Sequence, residues 1–176
     1  MKKIENKFHV SFFVPCLNEK ENIIATIQTI QSAVKKIDMI YEIIVIDDNS
    51  SDNSYQLLED FKYKNSSINL ILIKNKFTKG LGRNYIDASF IAKGKYFMLV
   101  NGDNVEPEET LITILNEIGN SDMIIPHFGK NDKRGFCRVV LSKTFTLLIN
   151  IVSGYNVPYY NGPVLHLRYN IMRWSP

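Results

Sequence analysis

Short apolar runs alternate with segments of helical periodicity over the first 126 residues of this 176-residue chain. Strands are predicted at 8–14, 42–47, 68–74, 96–100 and 122–126, and helices at 21–36, 54–63, 83–93 and 107–118. Strands that alternate with helices form a mostly parallel sheet that is covered by helices on both faces. The sequence therefore predicts an α/β fold, and its length fits a single domain.

The regular pattern fades after Lys130. One more helix is predicted over 134–152. Loops are predicted beyond it, where four chain-breaking residues occur: Gly154, Pro158, Gly162 and Pro163. No uninterrupted apolar run approaches the length of a membrane span, which predicts a soluble or peripheral protein. Residues 173–176 follow this loop-like stretch, and we expect the domain to be truncated at its C-terminus.

The last part of the chain is basic. Residues 133–176 carry six Lys or Arg and no Asp or Glu, whereas residues 1–132 carry 15 Lys or Arg and 18 Asp or Glu. Such a segment is expected to contact a phosphate, an acidic lipid surface or nucleic acid. Nucleic acid is disfavoured because the charges are few and match no recognition motif. A chance drift of composition is the alternative.

Cys16 and Cys137 are far apart and form no Cys-x-x-Cys pattern. Two free thiols in a reducing, cytoplasmic compartment are the simplest interpretation. Pro15 ends the short apolar run that follows the basic N-terminus, so no signal peptide is predicted.

Two predicted strands end in acidic, turn-forming clusters. Asp47-Asp48-Asn49-Ser50-Ser51-Asp52 follows the second strand, and Asn101-Gly102-Asp103-Asn104 follows the fourth. The carboxyl ends of parallel strands meet at the edge where open α/β sheets bind ligands. In the first cluster an Asp can accept hydrogen bonds from a nucleobase or a ribose, and a solvated loop is the alternative.

The second cluster suits a divalent cation. Asn101 and Asp103 lie on the same side of an extended chain and can share one Mg²⁺ or Mn²⁺ with a diphosphate. Gly102 removes a side chain where a substrate approaches. The alternative is a turn in which Asn104 or Asp103 caps a helix that starts near Pro107.

The turn after the first strand, Val14–Glu19, contains no glycine. This argues against an NAD or FAD enzyme, because those folds need glycine there for the pyrophosphate to approach. A nucleotidyltransferase with a glycine-rich phosphate loop is disfavoured for the same reason. Asn18 and Glu21 suit a helix-capping arrangement, which leaves Leu17 and Glu19 to line the base of a pocket.

Four motifs occur in register: Pro15-Cys16-Leu17-Asn18-Glu19, Asp47-Asp48-Asn49-Ser50-Ser51-Asp52, Lys79-Gly80-Leu81-Gly82-Arg83-Asn84 and Gly102-Asp103-Asn104. Together they resemble the family 2 glycosyltransferases of the GT-A fold, and in particular dolichyl-phosphate mannose synthase-like and bacterial cell-surface polysaccharide enzymes. The resemblance implies a UDP- or GDP-linked sugar donor, a divalent cation and inversion at the anomeric carbon. It also implies that 1–126 bind the donor and that 127–176 form an acceptor-side segment.

The resemblance assigns roles to individual residues. Asp103 is the expected metal and diphosphate ligand and a catalytic residue, and Asn101 is its partner at the cation. Asp48 is expected to bind the base. The remaining expected donor-binding residues are Pro15, Leu17, Asn18, Glu19, Lys79, Arg83 and Gly102. Two positions depart from the family, because Asn101 replaces the first Asp of Asp-x-Asp and Phe128 stands where the dolichyl-phosphate enzymes have arginine.

The acid-free segment favours an anionic acceptor. A phosphate acceptor needs cations to hold it rather than a general base. Arg134, Arg138 and His166 are the expected acceptor-binding residues, and Arg138 matches a later basic position of the dolichyl-phosphate enzymes, which makes it a candidate catalytic residue. Lys143 and Arg168 add to the charge. We predict a lipid-phosphate or cell-surface glycan acceptor at the cytoplasmic face of the membrane, with the helix over 134–152 either near the membrane or in the core. A donor-binding module without turnover is the alternative.

Overall fold

A computed structural model describes residues 8–127, 135–160 and 162–174. Its strands are β1 (Phe8–Cys16), β2 (Tyr41–Asp47), β3 (Leu70–Lys74), β4 (Gly94–Leu99), β5 (Met123–Ile124) and β6 (Leu165–Leu167). Its helices are α1 (Ile23–Lys36), α2 (Ser54–Lys64), α3 (Leu81–Ile91), α4 (Glu108–Leu115), α5 (Phe136–Ser153) and α6 (Arg168–Trp174). The predicted alternation of strands and helices up to β5 is confirmed.

The six strands form one sheet in the order β3-β2-β1-β4-β6-β5. The pairs β3–β2, β2–β1 and β1–β4 are parallel, whereas β6 is antiparallel to both β4 and β5. The prediction of a mostly parallel sheet is therefore confirmed. The prediction of loops up to the C-terminus is wrong, since β6 and α6 occur there. A strand of three residues has too little periodicity to be recognised and depends on its neighbours for its hydrogen bonds.

Helices cover both faces of the sheet. Alternate residues of a strand point to opposite faces, so Phe12 packs in the core under α1, α2 and α4, while Phe13 packs in the core under α3 and α6. In the second core the Phe13 and Phe97 rings stack at 6.4 Å, and Tyr85 meets Phe97 edge-on at 5.2 Å. Because both faces are covered, the carboxyl edge of the sheet is left for a ligand.

Helix α5 differs from the other helices. Only Ser142 of α5 is buried. Its 18 residues have a mean hydropathy of 1.5 and are 6% buried, so α5 is long and apolar enough to cross a membrane by length and composition alone. Arg138 and Lys143 interrupt the apolar residues of α5, so the sequence contains no uninterrupted apolar run of this length.

Candidate functional site

The turns that follow β1 and β2 are joined by hydrogen bonds. The backbone N–H of Asn18 donates to Ser50 Oγ at 2.9 Å, and Asn18 Oδ1 accepts from the backbone N–H of Ser51 at 2.8 Å. The backbone N–H of Lys20 donates to Asp52 Oδ2 at 3.0 Å. The two turns therefore form one surface at the carboxyl edge, and the side chains of Asn18 and Asp52 are used to build it.

The capping role considered for Asn18 and Glu21 is wrong. Helix α1 begins at Ile23, its N-cap is Asn22, and no side chain makes a capping hydrogen bond there. Asn18 instead has a φ of 59°, a left-handed conformation that asparagine tolerates better than most residues. Three further asparagines of the carboxyl-edge turns have positive φ: Asn49, Asn53 and Asn104. Asparagines in the turns after β1, β2 and β4 were the signal in the sequence for this geometry.

The residues expected to receive the nucleoside lie together at the end of β1. Leu17 is 47% exposed, which is unusual for a leucine beside the core, while Pro15 and Glu19 are half-buried. The backbone N–H of Asp48 donates to the carbonyl oxygen of Cys16 at 2.8 Å, so this turn and the start of the β2 turn are adjacent. The arrangement offers an apolar surface bordered by polar groups, as small-molecule sites commonly do.

Asp48 is 5% exposed and receives hydrogen bonds from inside the protein. Its Oδ1 accepts from Asn75 Nδ2 at 2.7 Å and from the Lys79 N–H at 2.9 Å, and its Oδ2 accepts from the Gly80 N–H at 2.8 Å. Burial opposes ionisation, but these hydrogen bonds and Asn84 outweigh it and hold the pKa of Asp48 at about 2. Asp48 thus anchors the 75–80 loop, and its contact with a base stays a prediction.

Asp47 has a free carboxylate oxygen that the sequence analysis overlooked. Asp47 is fully buried, its Oδ2 accepts from the Ser50 N–H at 3.2 Å, and its Oδ1 has no hydrogen-bond partner within the described part of the chain. Burial, together with the charge of Asp47, raises the pKa of the neighbouring Cys16 thiol to about 11. Cys16 is therefore a neutral thiol at physiological pH.

The two cations expected at the donor are both paired with Asp87. Lys79 Nζ lies 2.9 Å from Asp87 Oδ2, and Arg83 Nε lies 3.0 Å from Asp87 Oδ1. An open groove of about 370 Å³ borders Lys79 and Asp87 on the α3 side of the sheet. Contact of Lys79 or Arg83 with a donor phosphate requires these pairs to open or to be shared.

The turn 101–104 is held against α1. Thr26 Oγ1 donates to the carbonyl oxygen of Gly102 at 2.9 Å, and Thr29 Oγ1 donates to Asn104 Oδ1 at 3.0 Å. A Cβ at Gly102 would lie 2.5 Å from the carbonyl oxygen of Pro15. Close packing of this turn on the end of β1 is therefore the physical reason for glycine, and the expected contact of Gly102 with the donor stays a prediction.

The capping alternative for this turn is also wrong, because α4 begins at Glu108 with Pro107 as its N-cap and without a side-chain cap. Asp103 is exposed, and its carboxylate has no hydrogen-bond or salt-bridge partner among the residues that the structure describes. Asn101 Nδ2 donates to Glu106 Oε1 at 2.9 Å. Burial raises the pKa of Glu106; the hydrogen bond from Asn101 opposes this rise and the charge of Asp103 adds to it.

These oxygens fit a divalent cation that also binds phosphate. The described residues contain no group of three or more His, Cys, Asp or Glu that could hold a metal by itself. Mg²⁺ in phosphate-binding sites is commonly held by only one or two carboxylates, with phosphate oxygens and water completing the shell. The free carboxylate of Asp103 and the amide oxygen of Asn101 suit that kind of site.

Two of the expected acceptor-binding residues, Arg138 and His166, lie in different elements of the structure. Arg138 is exposed on α5, whereas His166 lies in β6, opposite Phe97 of β4, where burial lowers its pKa. Arg168 Nε donates to the carbonyl oxygen of Gly94 at 3.1 Å, so its charge serves the amino end of β4. Two further positions of the sequence analysis, Phe128 and Arg134, lie outside the described residues.

Comparison with known proteins gives consistent results. Residues 11–173 match glycosyl transferase family 2. The chain is 32% identical over 136 residues to the undecaprenyl-phosphate 4-deoxy-4-formamido-L-arabinose transferase of Serratia proteamaculans, over 77% of this chain and 37% of that protein. It is 26% identical over 167 residues to the dolichyl-phosphate beta-glucosyltransferase of Dictyostelium discoideum, over 83% of this chain and 51% of that protein. The chain thus spans about half or less of the length of these curated relatives.

The fold is also similar to solved structures. The mannosyltransferase of Pyrobaculum calidifontis, solved with GDP-Man and Mn²⁺, superposes with a TM-score of 0.69 at 17% identity, over 95% of this chain and 46% of that one. At this identity the likeness concerns the fold, which is of the GT-A type. The match over residues 11–173, which covers most of the chain, establishes that the chain belongs to glycosyl transferase family 2.

Proposed function

We propose that this chain forms the donor-binding part of an inverting glycosyltransferase that moves a sugar from a UDP- or GDP-linked donor to a lipid phosphate of the polyprenyl-phosphate class. The observation that carries the proposal is the exposed Asp103 carboxylate at the carboxyl edge, without a partner among the described residues. Family membership and the polyprenyl-phosphate acceptors in the names of both relatives support it.

The proposed reaction requires no proton transfer by the protein. An acceptor oxygen attacks the anomeric carbon, the bond from that carbon to the nucleoside diphosphate breaks, and the configuration inverts. A phosphate acceptor is already anionic, so no general base is needed. Pro15 and Leu17 are proposed to receive the nucleoside, and Asp103 and Asn101 to hold Mg²⁺ or Mn²⁺ with the diphosphate. When bound, the cation supplies positive charge to the departing diphosphate.

Calorimetric titration with UDP and GDP, each with and without Mn²⁺, tests the donor site. We expect manganese-dependent binding of one nucleotide and its loss in Asp103→Ala, because the cation loses its only charged ligand in the turn 101–104. Asp60→Ala is the matched control, since Asp60 is an exposed aspartate on α2 that accepts a hydrogen bond at 3.1 Å from Gln56 Nε2 of the same helix. Binding that is independent of Mn²⁺ and unchanged in Asp103→Ala would refute the assignment.

Helix α5 is proposed to lie on the surface of the membrane that holds the acceptor. At about 100° per residue, one half of α5 carries exposed apolar side chains: Phe136, Val140, Leu141, Phe145, Leu147, Leu148, Ile151 and Val152. Arg138 and Lys143 flank this half on its two sides. Ser142, which is buried, and Asn150, which bonds to Val157 at 3.0 Å, lie on the opposite half. Apolar residues outward with cations at the borders are typical of helices at an anionic lipid surface.

Flotation with vesicles tests this part of the proposal. We expect binding to vesicles that contain phosphatidylglycerol, weaker binding to pure phosphatidylcholine, and loss of both in Leu148→Asp. Tyr63→Asp is the control, because Tyr63 is an exposed residue on α2, 88% exposed against 56% for Leu148, and receives the same charge outside α5. A dimer in solution that hides α5 and binds no vesicles would contradict the membrane role.

The acceptor class is tested separately by a transfer assay. Transfer of the sugar to a soluble glycan but not to a polyprenyl phosphate would show that the acceptor is a glycan.

A donor-binding module without turnover is the second candidate. It is favoured by the neutral Asn101 in the cation site and by the pairing of Lys79 and Arg83 with Asp87. Such a module binds the nucleotide with Mn²⁺ as described above. It gives neither sugar transfer nor donor hydrolysis when the nucleotide sugar and a polyprenyl phosphate are both supplied.

A further inference from the structure

Asn101 and Glu106 form a hydrogen-bonded pair next to Asp103. The amide nitrogen of Asn101 donates to Glu106 Oε1 at 2.9 Å. The other carboxylate oxygen, Glu106 Oε2, is buried and has no hydrogen-bond partner in the described ranges of the chain. A buried carboxylate oxygen without a partner is costly. Glu106 Oε2 therefore has a capacity to accept that no described residue uses.

Glu106 determines which way the Asn101 amide faces. A carboxamide has a donating NH₂ edge and an accepting oxygen edge, whereas a carboxylate only accepts. Glu106 can therefore hold only the NH₂ edge of Asn101. An amide rotated by half a turn would place its oxygen against the carboxylate, which is repulsive. The amide oxygen of Asn101 is thus kept on the edge that points away from Glu106 and stays available to a ligand.

Glu106 also changes the charge of the site. Asp103 is the only carboxylate in the turn 101–104 because Asn101 is neutral. The hydrogen bond of 2.9 Å to Asn101 places the carboxylate of Glu106 beside the proposed cation site. Its buried position keeps this second negative charge poorly screened by water. Asn101 and Glu106 together thus offer one oriented oxygen and one negative charge.

The backbone of the turn cannot move freely to replace this arrangement. Gly102 is buried against the carbonyl oxygen of Pro15 and bonded to Thr26, and Asn104 is bonded to Thr29. The backbone positions of Asn101 and Asp103 are consequently fixed, because Gly102 between them is held in place. With the backbone held, the orientation of the Asn101 side chain depends on its hydrogen bond to Glu106.

We propose that Glu106 is a positioning residue of the donor site, which holds the Asn101 oxygen toward the bound cation and supplies the negative charge that Asn101 lacks. The proposal rests on the proposed function, since the cation is the one bound with the donor diphosphate. A single aspartate at the first position of Asp-x-Asp supplies both an oxygen ligand and a negative charge. In this chain we assign the oxygen to Asn101 and the charge to Glu106.

A double-mutant cycle tests the pair. Free Mn²⁺ is measured by electron paramagnetic resonance in the presence of the nucleotide that binds, for the unmodified protein, Glu106→Ala, Glu106→Gln, Asn101→Asp and Asn101→Asp/Glu106→Gln. Removing groups that orient a metal ligand typically weakens metal binding by about 10–100-fold, so we expect a loss of at least about tenfold in Glu106→Ala. Glu106→Gln should lose less, because its side-chain oxygen still accepts from Asn101.

The two Asn101→Asp proteins distinguish positioning from simple packing. Asn101→Asp alone replaces the donor of the pair and places two carboxylates in contact, so we expect Mn²⁺ binding to be weaker than in the unmodified protein. Adding Glu106→Gln exchanges the donor and the acceptor of the pair and keeps the total charge, so affinity should return to within about threefold of the unmodified protein. A purely structural role of Glu106 predicts no such rescue.

Controls separate this inference from the proposed function. Glu109→Ala removes an exposed carboxylate from the first turn of α4 and should leave Mn²⁺ binding unchanged. Thermal unfolding establishes that each variant is folded, and Glu106→Gln is the conservative variant if Glu106→Ala is not. An unmodified protein that binds no Mn²⁺ with either nucleotide overturns both proposals. Normal Mn²⁺ binding in Glu106→Ala, or no rescue in the double variant, overturns this one alone.

Discussion

Helices α1 and α5 are both rich in apolar residues, but they use them in opposite ways. Helix α1 buries Ile23, Ile27 and Ile30 completely under the sheet. Helix α5 buries only Ser142 and turns its apolar half outward. An apolar helix is therefore not sufficient to identify a core helix. The core of this fold is closed by α1, α2 and α4 on one face and by α3 and α6 on the other, and α5 is left for another surface.

The difference between α1 and α5 should have its largest effect on the free energy of unfolding. Ile27→Ala leaves a cavity in the core and should lower the free energy of unfolding by about 2–5 kcal/mol. Leu148→Ala on α5 should change it by no more than about 0.5 kcal/mol, because Leu148 is exposed. Urea unfolding followed by circular dichroism measures both. Equal losses would mean that α5 packs in the core.

The carboxyl edge and α5 should also differ in how their contributions to stability depend on pH. Helix α5 has no carboxylate between Phe136 and Ser153, whereas the carboxyl edge has the buried Asp48. Three N–H groups converge on Asp48, and Asp48→Asn offers them a single acceptor oxygen, so we expect a loss of about 1–3 kcal/mol near neutral pH. The folded pKa of Asp48, about 2, lies below its unfolded value. Its contribution is therefore complete above about pH 4 and disappears as the pH falls through the folded pKa.

Urea unfolding of the unmodified protein and Asp48→Asn at a series of pH values measures this contribution. The gap between the two proteins should be constant near neutrality and close as the pH approaches 2. A gap that keeps its size in acid would show that the carboxylate charge is not what anchors the 75–80 loop.

The smallest effect concerns one threonine in each helix. Thr26 of α1 donates across to the Gly102 carbonyl oxygen, whereas Thr144 of α5 donates at 3.0 Å to Val140 in its own helix. Thr26→Val should cost about 1 kcal/mol and weaken Mn²⁺-dependent nucleotide binding, because it releases the turn 101–104. Thr144→Val should do neither. Urea unfolding measures the stability of both variants, and calorimetry measures their Mn²⁺-dependent nucleotide binding. Equal stability and equal binding in the two variants would argue that α1 does not support the site.

The parts of the fold that were predictable are those with local signals. Strands such as β2 are continuous β-branched runs, and α1 has apolar residues at helical spacing, so both are visible without tertiary context. Strand β6 was missed because its three residues are held by β4 and β5, which are distant in sequence. Polar residues at the strand ends predicted a site at the carboxyl edge, and the structure joins the turns after β1 and β2 there.

The internal structure of the site was less predictable. Asn18 bonds to Ser51, 33 residues away, and Asp48 bonds to the 75–80 loop. No local pattern distinguishes these contacts from a helix cap or a base contact. Gly102 shows the same limit, since its neighbour Pro15 belongs to another strand. Residue types predicted the chemistry of this edge, and only the folded geometry showed which groups are already used by the protein itself.

The pairing of Ile124 with Leu165 has a consequence for how this family member can change. The chain leaves the sheet at β5 and returns beside it at β6, so the intervening segment with α5 starts and ends at one place. The entropic cost of closing a chain segment between two fixed ends grows only slowly with the length of the segment. Insertions or exchanges between these two strands should therefore change α5 and its surroundings while the sheet and its carboxyl edge stay as they are. The segment that we propose to face the acceptor can thus diverge without loss of the fold.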